Sequence, residues 1–191
     1  MERLNLSFIV YFHNEVKRNF QNEIARMNQK LEDDDSLSGQ EKTELEARKR
    51  IYLDTFEPYL RINTFLMMVS HFEEWLFCLW KHCAPEIELF ETKGSIGRFK
   101  PVLQAIGVDL SRSKPWIFLK GCQDVRSCLL HANGRFGLNR KSEKLQNFIA
   151  QHSKIIAIES DRLVLKSAFL KCFQHAIEEL LESARLCQSM G

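Results

Sequence analysis

The sequence has few residues that bend a chain: 191 residues include only eight glycines and four prolines. That scarcity excludes collagen-like repeats and low-complexity linkers, and it argues against a fold built from many tight turns. The six cysteines (Cys78, Cys83, Cys122, Cys128, Cys172 and Cys187) include no C-x-x-C pair and no zinc-like spacing with histidine. Neither a metal site nor a thiol nucleophile is expected from them; in apolar helical stretches free cysteines act as small hydrophobes. No apolar run reaches the ~18 residues of a membrane span. Residues 1–17 lack the basic start, continuous apolar run and small-residue cleavage site of a secretory signal. A cytoplasmic, soluble protein without a membrane partner is the expectation. Net charge is also nearly absent, with 27 basic against 25 acidic side chains.

What the chain does have is core-forming material. Apolar residues make up 45% of it and 14 residues are phenylalanine, enough for one compact domain spanning residues 1–191. The apolar spacing is helical almost throughout. Phe8, Phe12, Val16, Phe20, Ile24, Met27 and Leu31 form one stripe of a long N-terminal helix within residues 1–35. Ser38 followed by Glu41 reads as a capping box opening a second helix. Pro58 ends or kinks that helix, or sits in the first turn of the next. Tyr59 to Cys83 is the most apolar stretch, closed by Pro85, and should be central in a bundle core covering 50–190.

Lys93-Gly94-Ser95-Ile96-Gly97 reads as a turn leading into a short helix, Ile96 to Ile106, because its spacing does not fit a phosphate-cradling P-loop. A helix from about Pro115 to Ala132 stops at Asn133-Gly134, and a short one follows near Ser142 to His152. Ile155–Ile158 and Leu163–Leu165 flank Glu159-Ser160-Asp161-Arg162 as a minor β-hairpin near 155–165 that must pack on helices to persist. A terminal helix, from Lys166 to about Ser189, buries Phe169, Phe173, Ile177, Leu180, Leu181 and Ala184. The fold class is therefore all-α, an up-and-down helical bundle with a small hairpin.

The neutral total hides a division. Residues 23–92 carry 8 basic and 15 acidic groups, whereas residues 93–144 carry 11 basic and 3 acidic groups, a local +8. The positive segment comprises Lys93, Arg98, Lys100, Arg112, Lys114, Lys120, Arg126, Arg135, Arg140, Lys141 and Lys144. It is suited either to phosphate backbones or to balancing the acidic half of the chain.

Within it lies Asp124-Val125-Arg126-Ser127-Cys128-Leu129-Leu130-His131-Ala132-Asn133-Gly134-Arg135-Phe136. At ~100° per residue, Phe118, Cys122, Val125, Leu129 and Ala132 make a core-facing stripe. Arg126 and His131, about 140° apart, flank a second face with Leu119, Gln123, Ser127 and Leu130. Apolar residues on two faces imply packing on two sides, the second partner being another helix of this chain or another subunit. A second copy about a two-fold axis would bring the Arg126 and His131 of both chains to one seam. The remaining histidines, His13, His71, His82, His152 and His175, have no ligand or nucleophile partner at useful spacing.

Val125-Arg126 through His131-Ala132-Asn133-Gly134-Arg135 resembles the R-x(4–6)-H motif of HEPN domains, all-α proteins of which many are metal-independent ribonucleases. The order of Ser70-His71-Phe72-Glu73-Glu74-Trp75-Leu76, then Lys93-Gly94-Ser95, then Trp116 before the motif helix, is similar to that of many HEPN chains over residues 50–190. The resemblance implies a homodimeric RNA endonuclease needing no metal or cofactor, of the kind found as toxins or antiphage effectors with an antitoxin or other regulatory partner. It implies catalytic roles for Arg126 and His131 and substrate contacts from Ser127, Asn133 and Arg135. His131 would move protons at the ribose 2′-OH or leaving oxygen, and Arg126 would hold the phosphate oxygens. The products would carry 2′,3′-cyclic phosphate or 3′-phosphate ends. One departure stands out: active members often have Asn, Asp or His directly after the arginine, where this chain has Ser127. An inactive HEPN-like dimer that binds RNA, nucleotide or a partner protein is the alternative. Glu73 or Glu74 would approach the site, or face solvent or an ion-pair partner.

Overall fold

A computed structural model describes residues 6–34, 36–89, 96–139 and 142–189. The fold is all-α with one two-stranded antiparallel hairpin. Its contacts divide the chain into two compact units, residues 7–65 and a larger one from residue 66 onward. No helix among the described residues is long and apolar enough to cross a membrane.

The first unit is a helical hairpin. Helix α1 (Ser7–Asp33) packs on α2 (Gly39–Ile51), which starts with the expected capping box. Ser38 N–H donates to Glu41 Oε2 at 2.9 Å and Glu41 N–H to Ser38 Oγ at 3.3 Å. Instead of breaking, the path continues through a π-helical stretch, Tyr52–Phe56, into α3 (Glu57–Cys83). Pro58 thus occupies the first turn of α3. A proline there has no N–H to give back to the preceding turn, and the Glu57 N–H just before it bonds the Tyr52 carbonyl in the wider π pattern. Phe20 of α1 meets Tyr52 and Phe56 at ring-centroid distances of 5.5 and 5.9 Å. The stripe expected along α1 is buried only in part. Met27 is buried and Val16, Phe20 and Ile24 are half-buried, but Phe8 and Phe12 are exposed together with Tyr11.

In the larger unit, α3 buries Met68, Val69, Phe72, Leu76 and Leu79 almost completely. The Trp80 indole N–H donates to the Ile87 carbonyl (2.8 Å) beyond the helix end. A 3-10 turn, Ile96–Phe99, leads into α4 (Lys100–Ala105); Lys93, Gly94 and Ser95 of the expected turn lie outside the described residues. Helix α5 (Lys114–His131) packs against α6 (Ser142–Gln151), α7 (Phe169–Ser189), the strand β2 (Arg162–Leu165) and the 3-10 turn. Strand β1 (Ile156–Glu159) pairs with β2 in the register Ile156 to Leu165 through Glu159 to Arg162. Ser160 and Asp161 turn the hairpin with φ of 47° and 62°; two left-handed residues match the twist of the flanking strands. The expected buried side of α7, from Phe169 to Ala184, is buried.

Candidate functional site

Local chemistry sets both ends of α5. Ser113 Oγ accepts the Trp116 N–H (3.3 Å), and Pro115 stands in the first turn, where its missing N–H has no helical partner to lose. At the other end Ala132 and Gly134 N–H both donate to the Cys128 carbonyl at 3.0 Å. Asn133 (φ 49°) and Gly134 (φ 72°) are left-handed, so the Asn-Gly stop signal acts as the sequence implies.

The buried sector of α5 is wider than its expected core stripe and rotated from it. Cys122, Val125 and Ala132 are buried as expected, but Phe118 and Leu129 are only half-buried. Trp116, Leu119 and Cys128 are buried instead. Of the second apolar face, Leu119 is covered (1% exposed), whereas Leu130 is 47% exposed. With α6, α7 and β2 all packed on α5, the covered arc takes in part of that second face as well as most of the first stripe.

Arg126 lies at the margin of that arc, with Nη2 4.0 Å from Glu73 Oε2 on α3. The two side chains are 29% and 17% exposed, and Glu73 Oε1 is buried with no hydrogen-bond partner among the described residues. Glu73 is ion-paired, and because its partner is the motif arginine it also approaches the candidate site. His131 faces outward and is exposed, Ser127 is half-buried, and Asn133 and Arg135 are exposed. Within one chain the five expected residues therefore stand in different settings. Arg126 turns toward Glu73, while His131, Asn133 and Arg135 open to solvent at the end of the helix.

Sequence reasoning missed the hairpin's part in this region. The Leu163 N–H donates to the Gly134 carbonyl and the Phe136 N–H to the Asp161 carbonyl, both at 2.8 Å. Asp161 Oδ1 accepts the Gly137 N–H (2.8 Å), and Arg162 Nη1 donates to the Asn133 carbonyl (3.4 Å). Beneath them Cys128 Sγ donates to the Arg135 carbonyl at 3.8 Å. The segment after the motif is thus tied to the hairpin at successive residues. The turn residues Ser160 and Asp161 could be read from sequence, but their partners could not.

Several other titratable groups hold structural contacts. Burial pushes the Cys122 thiol well up, and burial reinforced by Asp161 raises that of Cys128; both stay protonated, which does not suit a nucleophile. His13 bonds Thr64, His82 Nδ1 meets the Cys78 carbonyl, and His175 lies 3.5 Å from Glu179. His152 packs on Phe118 and Phe148 at centroid distances of 5.0 and 4.5 Å, and burial lowers its pKa. Of the +8 segment, Lys93, Arg140 and Lys141 lie outside the described residues. Lys100, Arg112, Lys114, Lys120, Arg135 and Lys144 are exposed, and Arg98 is half-buried with its guanidinium over the Phe99 ring. Among the described residues no three His, Cys, Asp or Glu side chains group as metal ligands.

Comparison with protein-family models, with curated proteins and with solved structures gives no match to this chain.

Proposed function

We propose that this protein is a HEPN-type, metal-independent RNA endonuclease that acts as a homodimer, with Arg126 and His131 at the seam. The reading rests on one helix, α5, which carries both residues and leaves Ser127, Leu130 and His131 accessible on its outward side. Two side chains ~140° apart on one helix cannot both meet a single phosphate easily. A second copy on that side supplies the missing arginine or histidine to each site and covers Leu130. The ribose 2′-OH attacks the adjacent phosphorus, the O2′–P bond forms and the P–O5′ bond breaks. One His131 accepts the hydroxyl proton and the partner's His131 protonates the departing oxygen. Arg126 holds the charge that develops on the non-bridging oxygens. A regulatory protein covering the same side would block both RNA and the second copy.

The test is RNA cleavage by purified protein in EDTA, with end-group analysis and sedimentation. The proposal expects 2′,3′-cyclic phosphate or 3′-phosphate ends, a dimer, and loss of cleavage in Arg126→Ala and His131→Ala. Absence of cleavage, or equal cleavage by His131→Ala, would overturn it. A second reading, a HEPN-like dimer that binds RNA, nucleotide or a partner without cleaving, is favoured by the engagement of Arg126 with Glu73 and by Ser127 after the arginine. It expects binding without turnover.

A further inference from the structure

Past the end of α5, Arg135 forms an isolated antiparallel bridge with Arg162. Residues directly opposite in such a pair project from the same side with Cβ atoms about 5 Å apart, so the two arginines leave the backbone side by side. Both are exposed. Among the described residues neither has a carboxylate within 4 Å, although two acidic residues are near in sequence. Glu159 stands opposite Arg162 in the hairpin register, and Asp161 turns its carboxylate to the Gly137 N–H instead. The Arg162 guanidinium reaches the Asn133 carbonyl, which draws it toward the end of the motif helix. Like charges placed directly opposite weaken strand pairing. This pair is nevertheless held in place by the Leu163–Gly134 and Phe136–Asp161 hydrogen bonds on either side.

From this juxtaposition we infer that Arg135 and Arg162 form a paired phosphodiester site that holds the RNA backbone next to His131. The inference rests on RNA being the substrate and adds a contact, Arg162, from a strand remote from the motif. Two planar guanidiniums carried on opposite bridge positions can each offer parallel N–H donors to phosphate oxygens. Arg135 belongs to the +8 segment and Arg162 stands opposite it; the field of that segment favours a polyanion. The pair reads phosphate rather than base, so it anchors the strand without setting sequence preference.

The experiment measures binding of a fluorescent single-stranded RNA by anisotropy across a salt series. It compares the full chain with Arg135→Gln/Arg162→Gln and Arg135→Lys/Arg162→Lys, and cleavage is assayed in parallel. Losing two phosphate contacts from a single strand should lower the log–log salt slope by about 1.4 and weaken binding roughly tenfold or more near 0.1 M salt. The lysine variant should recover most of that loss, which separates charge from any structural part played by Arg162. Cleavage and binding that are both unchanged in the glutamine variant overturn the paired site and leave the endonuclease reading standing. Arginine-dependent binding without cleavage supports the site and overturns the endonuclease. No RNA binding by the unaltered chain, or tighter arginine-dependent binding of polyglutamate than of RNA, overturns the site as an RNA contact.

Discussion

Arg126 on α5 and Glu73 on α3 face each other at 4.0 Å, and the second carboxylate oxygen of Glu73 is buried without a hydrogen bond. The motif arginine is therefore paired with an anion of its own chain, and under the proposed function an RNA phosphate would have to compete with that anion for Arg126. Replacing Glu73 by Gln keeps the shape and removes the competing charge. Both side chains are mostly buried, so stability should change by about 1–3 kcal/mol. RNA affinity should rise severalfold, whereas Arg126→Ala should lower it. Urea unfolding and RNA titration of the two variants check this, and weaker RNA binding by Glu73→Gln would contradict it.

Gly121 lies in the middle of α5, where a helix gains nothing from glycine. A Cβ there would sit 2.1 Å from Cδ2 and 2.3 Å from Cε2 of Phe148, whose ring packs over this position. Alanine would improve helix propensity by about 1 kcal/mol, but the overlap with a packed ring costs about 1–3 kcal/mol and has to be relieved by moving it. The net loss is at most about 2 kcal/mol, so Gly121→Ala is expected to lower Tm by up to about 8 °C. Phe148→Leu in the same background should cost less than it does alone. Calorimetry of the four proteins measures that coupling, and additive effects would show that the ring moves aside freely.

Asp161 does two things at once: it adopts φ 62° and it accepts the Gly137 N–H. Asp161→Gly keeps the backbone freedom and loses the acceptor, whereas Asp161→Ala loses both. The alanine variant should be the less stable by about 1 kcal/mol, the strain of a left-handed residue with a Cβ. Both variants should show faster amide exchange at Gly137. Hydrogen exchange followed by NMR, together with melting curves, distinguishes the two contributions.

His13 Nδ1 lies 2.8 Å from Thr64 Oγ1, whose hydroxyl donates to the Leu60 carbonyl at 2.8 Å. With that proton committed, the ring N–H must be the donor to Thr64. Burial, helped by Lys17 and Arg61 and opposed by Glu57, lowers the His13 pKa below its usual 6.5. The folded chain therefore binds a proton here less readily than the unfolded chain. Its contribution to stability is present above about pH 6.5 and is lost as pH falls through the lower folded value. His152, lowered by burial, acts with the same sign. Urea unfolding at pH 7.5 and 5.5 should show a loss in the unaltered protein that is smaller in His13→Gln. Equal losses would remove His13 as a cause.

Much of the fold was legible because its signals are local. The Ser38–Glu41 capping box, the Asn133-Gly134 stop, the hairpin turn at Ser160-Asp161 and the buried side of α7 each depend on residues within a few positions of one another. Their hydrogen-bonding needs and left-handed backbone angles are carried by the residue types themselves. Pro58 was readable only as a set of alternatives, because a π-helical stretch answers a strain that spacing does not reveal. Along α1, helical periodicity located the helix correctly but overstated its burial, since an apolar stripe shows which side can be covered and not how far along covering residues extend.

At the candidate site the division is sharper. Sequence by itself determined that Arg126 and His131 share one helix, that they point about 140° apart on it, and that the helix ends within two residues of His131. Those consequences follow from the pitch of an α-helix and the conformational needs of Asn-Gly. Only tertiary structure decided that Leu119 is buried and Leu130 exposed, that Glu73 takes Arg126, that Phe148 fills the space beside Gly121, and that Arg162 stands beside Arg135. Each of these joins residues from separate elements. Which partner wins depends on how several helices and the hairpin share one buried surface, a competition that no stretch of sequence records on its own.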